Sequence, residues 1–268
     1  MSFNHTAIPT FVLAGVLFVA GAAGERKTQS RRLARITFPW LGIAAAIPGM
    51  FVLAYYMHVF GSSAWFYEFR TVPYSELSIA GLGFLAGYLY SLIGPEGKGE
   101  KVVWPIALFV LVSIPFIKPI LDPINLDALR TTCPDNICLQ TTYSTCGPSC
   151  AASILLSLGR NASEQSLARE ALTSKGGTEL WYLARAVRRQ GFSTEYVVNS
   201  SAPDKFPAPA VAGVVLSGGT GHFIALVSRS GDQITVVDPL KGRFTLSDAE
   251  LKQKYHFSGV FLLIRRQS

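Results

Sequence analysis

The chain has 268 residues, 49% hydrophobic and only 15% charged, against about a quarter charged in soluble domains, so a wholly soluble globule is a poor first description. Of 24 Lys+Arg and 17 Asp+Glu, only 9 and 5 precede Leu121, and the remaining 148 residues have the make-up of an ordinary soluble domain. The net charge of +7 is concentrated in Gly24 to Arg35, where five bases meet one acid; no basic stripe interleaved with aromatics occurs elsewhere, which argues against nucleic acid as a partner.

Four apolar stretches come first: Ala7 to Ala23, Ile36 to Phe60, Leu77 to Ile93 and Val102 to Ile117. Each reaches or approaches the roughly 17–25 residues that a helix needs to cross a bilayer. Pro39, Pro48, Pro105 and Pro115 fall inside them, where neighbouring helices can satisfy the freed carbonyls. Core helices of a soluble protein are the alternative, but no polar face recurs at helical period. The basic loop Gly24 to Arg35 belongs in the cytoplasm, and the loop Gly61 to Glu76 carries only Arg70 against two acids. Four spans then place both termini outside. Apart from His58 near one end, no ionisable group interrupts the spans, which favours an anchor over a transport path. Residues 1–121 are thus expected to form a transmembrane anchor region of about four spans, 122–138 a connector and 139–268 a soluble domain in a multi-pass protein of the cell membrane.

Helices lead the soluble half. One runs from about Gly147 to Leu158, with proline in its first turn and Gly159 just past its end. Asn161-Ala-Ser-Glu164 reads as a capping box opening a second, and a third begins after Thr178 and stops at Gly191. Strands follow: Thr194 to Val198, Val211 to Leu216, then His222 to Ser228 paired with Gln233 to Val237 through an Arg229-Ser-Gly-Asp232 turn. Ser247-Asp-Ala-Glu250 caps a short helix, and Gly259 to Ile264 is a last strand. Helices first and a mostly antiparallel sheet second make an α+β layout.

Cys146 stands at a helix start, where unpaired N–H groups and the helix dipole stabilise a thiolate. A lone cysteine is more often a small buried hydrophobe, so a base is needed. His5 and His58 belong to the apolar half and His256 follows a Lys-rich helix end, which leaves His222, after Ser217-Gly-Gly-Thr-Gly221, as the candidate. With Ser228 opposite Gln233, a constant register puts Phe223 opposite Asp238 and His222 diagonal to that carboxylate, within reach to orient the imidazole. An Asp-Pro turn opener is the commoner use of Asp238-Pro239. Gln140, six residues ahead of Cys146, can donate its amide to an oxyanion together with the Cys146 N–H.

Taken together, Gln140-x5-Cys146-Gly-Pro, Gly221-His222-Phe-Ile-Ala-Leu-Val227 and Val236-Val-Asp238-Pro239 resemble the bacteriocin-processing, double-glycine leader peptidase family of papain-like cysteine peptidases. The resemblance covers about Leu139 to Arg265. It implies a papain-like peptidase domain after the apolar region, with Gln140 as oxyanion donor, Cys146 as nucleophile, His222 as base and then acid, and Asp238 as orienter. It also implies a peptide or protein substrate and no metal or other cofactor. Members are commonly fused ahead of an ABC transporter in the cytoplasm. Here no Gly-x4-Gly-Lys-Ser/Thr motif occurs, so no nucleotide partner is expected, and the domain comes last and faces outward.

Cys133-Pro-Asp-Asn-Ile-Cys138 can close a small disulfide loop in an oxidising compartment. A zinc site lacks the paired Cys-x2-Cys spacing, and so does thiol–disulfide exchange through Cys133 and Cys138. Two functions remain open: a peptidase anchored in the bilayer, or a non-catalytic peptide-binding or assembly module on the same fold.

Overall fold

A computed structural model describes residues 4–28, 32–57, 63–93, 97–199 and 201–267. His58 and the middle of the basic loop lie outside the described residues. The chain divides into two compact units, one of Asn4–Gly61 and Tyr74–Lys118, the other of Met1–Phe3, Ser62–Pro73 and Pro119–Ser268.

The first unit is helical: α1 (Ala7–Thr28), α2 (Arg32–Tyr56), α4 (Gly81–Ser91) and α5 (Lys98–Leu121). Windows of α1, α2 and α5 are long and apolar enough to cross a membrane. They turn large apolar side chains outward, among them Val12, Val19, Trp40, Met50, Ile106 and Phe109, a surface that water would not favour. The stretch expected as a third span, Leu77 to Ile93, is built differently. A 3-10 segment, Ser75–Ala80, runs into α4, so no single α-helix there has the length of the other three. Packing of α4 on α1 relies on missing side chains: a Cβ on Gly83 would collide with the Ala14 carbonyl, and one on Gly87 with that of Phe18. Small residues four apart let helix backbones approach closely, the device that replaces hydrophobic burial between helices in lipid.

The second unit carries α3 (Ala64–Thr71), α6 (Cys146–Ser157), α7 (Glu164–Glu170), α8 (Leu180–Arg189) and α9 (Asp248–Lys254). Its strands are β1 (Phe192–Val198), β2 (Ala210–Val215), β3 (Gly221–Ser230), β4 (Gln233–Asp238), β5 (Gly242–Ser247) and β6 (His256–Arg266). They form one sheet in the order β1-β6-β2-β3-β4-β5, antiparallel throughout. This is the α+β layout expected, with α3 and β5 added. The α7 cap differs from expectation: Ser163 caps the helix in a box with Ser166, because Glu164 at the first helical position turns its carboxylate elsewhere. The Ser247/Glu250 box on α9 forms as read.

The β3–β4 hairpin corrects the expected register. Its turn is tighter, with Ser230 opposite Gln233 and Gly231 at φ +58°. Val227 is an extra residue between the pairs Ser228–Thr235 and Leu226–Val236, a bulge that shifts the pairing by one. Beyond it Ala225 pairs with Val237, so the register leads Ile224, not Phe223, to Asp238. Side chains alternate faces along a strand, so a one-residue slip moves every one of them to the other side. Ile224, Leu226, Ile234 and Val236 share one core cluster, and their parity carries His222 and Asp238 to the same face. The register expected from the sequence would have parted them.

Candidate active site

Cys146 opens α6 and is buried. The turn before it is braced by threonines. The Thr142 carbonyl accepts from the Thr145 N–H at 3.3 Å and from the Thr145 hydroxyl at 3.0 Å. Ser144 Oγ donates to the Lys175 carbonyl at 2.5 Å. Backbone N–H groups at the first turn of a helix lack intrahelical acceptors, which makes the Cys146 end of α6 a place for negative charge.

His222, on β3, and Asp238, the last residue of β4, are both buried, and His222 Nε2 lies 3.0 Å from Asp238 Oδ1. With Nε2 so engaged, Nδ1 is the ring nitrogen left for the Cys146 thiol. Burial pulls the imidazole pKa down, but the Asp238 and Cys146 hydrogen bonds and the charges of both outweigh it, raising the pKa to about 9.

Asp238 is held on both oxygens. Oδ1 also accepts from the Leu240 N–H at 2.9 Å, and Oδ2 accepts from the Tyr255 hydroxyl at 2.7 Å. Burial works to raise its pKa, but these three hydrogen bonds, that of His222 foremost, together with the His222 charge, hold it below the ordinary carboxylate value. The Asp238-Pro239 turn also serves as a seat: the Gln140 N–H donates to the Pro239 carbonyl at 3.1 Å, bringing the segment before Cys146 alongside the end of β4.

The Gln140 side chain donates from Nε2 to the Thr142 carbonyl at 2.8 Å, and its Oε1 is buried with no partner among the described residues. One of its two amide hydrogens is therefore engaged in bracing the turn, and the second is left. Cys150, one helical turn past Cys146, is fully buried. Burial first, then the charges of Cys146 and Asp238, push its thiol well above the usual range, so it is a packed neutral group. Cys133 and Cys138 are joined as a disulfide with Cα atoms 4.6 Å apart. Among the described residues no group of three or more His, Cys, Asp and Glu is placed to hold a metal.

Sequence reasoning missed two residues here. Tyr255 follows a Lys-containing helix end and lies 17 positions from Asp238, with nothing local to link them. Glu164 reads as a helix-capping acid, yet its buried carboxylate accepts from the Arg130 N–H at 3.0 Å and from the Thr141 N–H and hydroxyl, both at 2.6 Å. It thereby fixes the residue directly after Gln140.

Residues 135–268 match the family described as the Peptidase C39 family. A relative from Methanothermobacter thermautotrophicus, described as an uncharacterized protein, is 30% identical over 130 residues, 48% of this chain and 88% of the relative. One from Methanothermobacter marburgensis is 30% identical over 128 residues, 48% of this chain and 87% of its own. Among solved structures, the peptidase domain of Streptococcus ComA, a bifunctional ABC transporter involved in quorum sensing, is 21% identical with a TM-score of 0.42, covering 48% of this chain and 97% of that domain. A double glycine motif protease from an AMS/PCAT transporter, in complex with its leader peptide, is 18% identical with a TM-score of 0.42, covering 52% and 94%.

Proposed function

Because the chain belongs to the Peptidase C39 family, we propose that it is a membrane-anchored cysteine peptidase that cleaves peptide bonds in peptide or protein substrates. Residues 1–121 anchor it in the lipid bilayer, 122–138 connect, and 139–268 carry the chemistry. The observation that supports this best is the orientation of the imidazole: Nε2 pinned to a buried carboxylate, Nδ1 left for a thiol at a helix start.

Cys146 gives its proton to His222 Nδ1, and the thiolate attacks the scissile carbonyl carbon. The carbonyl π electrons move onto oxygen, and that oxyanion accepts from the Cys146 N–H and from the Gln140 amide. Collapse breaks the C–N bond, and the imidazolium returns its proton to the leaving amine, so a thioester joins the acyl group to Cys146. A water then gives a proton to His222 as its oxygen attacks the thioester, and the second collapse releases the acid and restores the thiol. Asp238 keeps the ring in its orientation and stabilises the imidazolium without taking the proton.

The domain faces away from the cytoplasm in this reading. Support comes from the basic loop Gly24 to Arg35, which belongs inside, and from the Cys133–Cys138 disulfide, which persists in oxidising compartments. The test is the full-length protein in detergent with a peptide library. Cleavage and labelling by a thiol-directed reagent are expected, both lost in Cys146→Ala. Cleavage persisting in that variant would refute the assignment, and a peptide bound but never cut by the unaltered protein would favour the binding module.

A further inference from the structure

Helix α3 lies in sequence between the second and third apolar stretches, yet it packs within the same compact unit as the peptidase domain. Its C-terminal carbonyls, which no helical N–H can satisfy, are taken up by one side chain. Arg185 of α8 donates to the carbonyls of Arg70 at 2.5 Å, Val72 at 2.9 Å and Thr71 at 3.3 Å. Arg188 pairs with Glu68 at 2.8 Å, and the Thr71 hydroxyl meets the Tyr196 hydroxyl of β1 at 2.6 Å. Aromatic packing completes the seat. Tyr67 stacks on Tyr196 with centroids 5.2 Å apart, Phe66 sits edge-on to Trp181 at 6.1 Å, and the Arg70 guanidinium lies 4.9 Å over the Trp181 ring.

A buried guanidinium with several carbonyl acceptors, an ion pair and a ring stack over one short helix form a built seat rather than a passing contact. Its consequence is topological. Two segments packed in one fold lie on one side of a membrane, and the chain leaves that side at Pro73 and returns to it at Pro119. Between them it crosses an even number of times. Helix α5 is long and apolar enough for one crossing, so the 3-10 segment Ser75–Ala80 and α4 must together make the other. Their combined rise is about 28 Å at the helical rises per residue, close to the roughly 30 Å of a hydrocarbon core.

Resting on the reading of the apolar helices as membrane spans, we infer that α3 is an integral part of the peptidase unit and that the chain therefore crosses the bilayer four times, with Ser75–Ser91 as the third crossing. Three crossings would strand α3 across the membrane from α8. The site then meets only substrates on the face that carries the loop of α3.

The test is single-cysteine labelling of the full chain in intact cells and in inverted vesicles with a membrane-impermeant maleimide. Val72→Cys and Asp204→Cys probe two exposed side chains of the peptidase unit, and Gly99→Cys an exposed position in the first turn of α5 where a Cβ meets nothing. Each is made in a Cys146→Ala background, which removes the reactive thiol; Cys133 and Cys138 are bonded and Cys150 is fully buried. Val72→Cys and Asp204→Cys should label from the same side, and Gly99→Cys only from the other. Gly99→Cys labelling from the side of Val72→Cys, or Val72→Cys and Asp204→Cys labelling from opposite sides, would overturn the inference. No cleavage is read, so the result stands apart from whether Cys146 is active.

Discussion

The Tyr255 hydroxyl donates to Asp238 Oδ2 at 2.7 Å, on the oxygen that His222 does not use. In Tyr255→Phe that oxygen keeps only the Lys241 ammonium, 3.9 Å away. Leaving a buried acceptor unpaired costs about 1–3 kcal/mol, and losing a hydrogen bond to the charged form raises the Asp238 pKa. A carboxyl with a depressed folded pKa contributes stability above its unfolded value and loses it as pH falls through the folded one. Tyr255→Phe should thus show a smaller free energy of denaturant unfolding at neutral pH, a difference that narrows as the pH is lowered, and an acid limb of the cleavage profile moved to higher pH.

His222, with a pKa raised from 6.5 to about 9, works in the opposite sense. Its contribution to stability is complete below pH 6.5 and is lost as pH rises through 9. Cleavage needs an imidazolium to protonate the leaving amine, so the rate should fall on the alkaline side near 9. In Asp238→Asn the carboxylate charge that helps to raise the pKa is gone, and the alkaline limb should move to lower pH. Titration of the His222 ring signal by NMR reads both shifts directly; a ring titrating near 6.5 in the unaltered protein would contradict the thiol–imidazole–carboxylate arrangement.

Glu164→Gln keeps shape but replaces an acceptor oxygen with a donor NH2 facing other donors. Three hydrogen bonds converge on that carboxylate, two of them from Thr141. A loss of about 1–3 kcal/mol is expected, along with a lower kcat at nearly unchanged KM, because the residue displaced is the neighbour of Gln140. Thermal unfolding and steady-state kinetics separate the two effects.

Arg185→Met keeps much of the side chain's length and removes the donors from the α3 carbonyls. The full-length protein in detergent should lose about 2–4 kcal/mol, the cost of a broken buried network involving a charge, and protease sites within 63–73 should become accessible. Unchanged protection there would mean that the Arg188–Glu68 pair, the Thr71–Tyr196 hydrogen bond and the aromatic packing hold α3 without Arg185.

Much of this protein is legible in its sequence because the signals are local. The apolar runs, the Ser247 capping box, the helix behind Cys146 and the strand alternation each depend on residues within a turn or two. What escaped depends on distant partners or on a count of one. The loop Gly61 to Glu76 reads as a connector, since nothing in Trp65-Phe-Tyr-Glu-Phe reveals that Arg185 and Tyr196 wait more than a hundred residues later. His222 and Asp238 meet at 3.0 Å through a register other than the expected one: a looser turn and an unbulged strand would set the two on opposite faces, and Val227 brings them together. A bulge of one apolar residue among others leaves no mark in composition.

The contact of Gly83 and Gly87 with the Ala14 and Phe18 carbonyls says something about how the apolar region can vary. Outward-facing positions of these apolar helices can trade one oily side chain for another with little cost, but at these two points even a methyl would wedge the backbones apart. The bundle is keyed by vacant space, so its tolerance to mutation should be widest where its side chains are largest and narrowest where it has none.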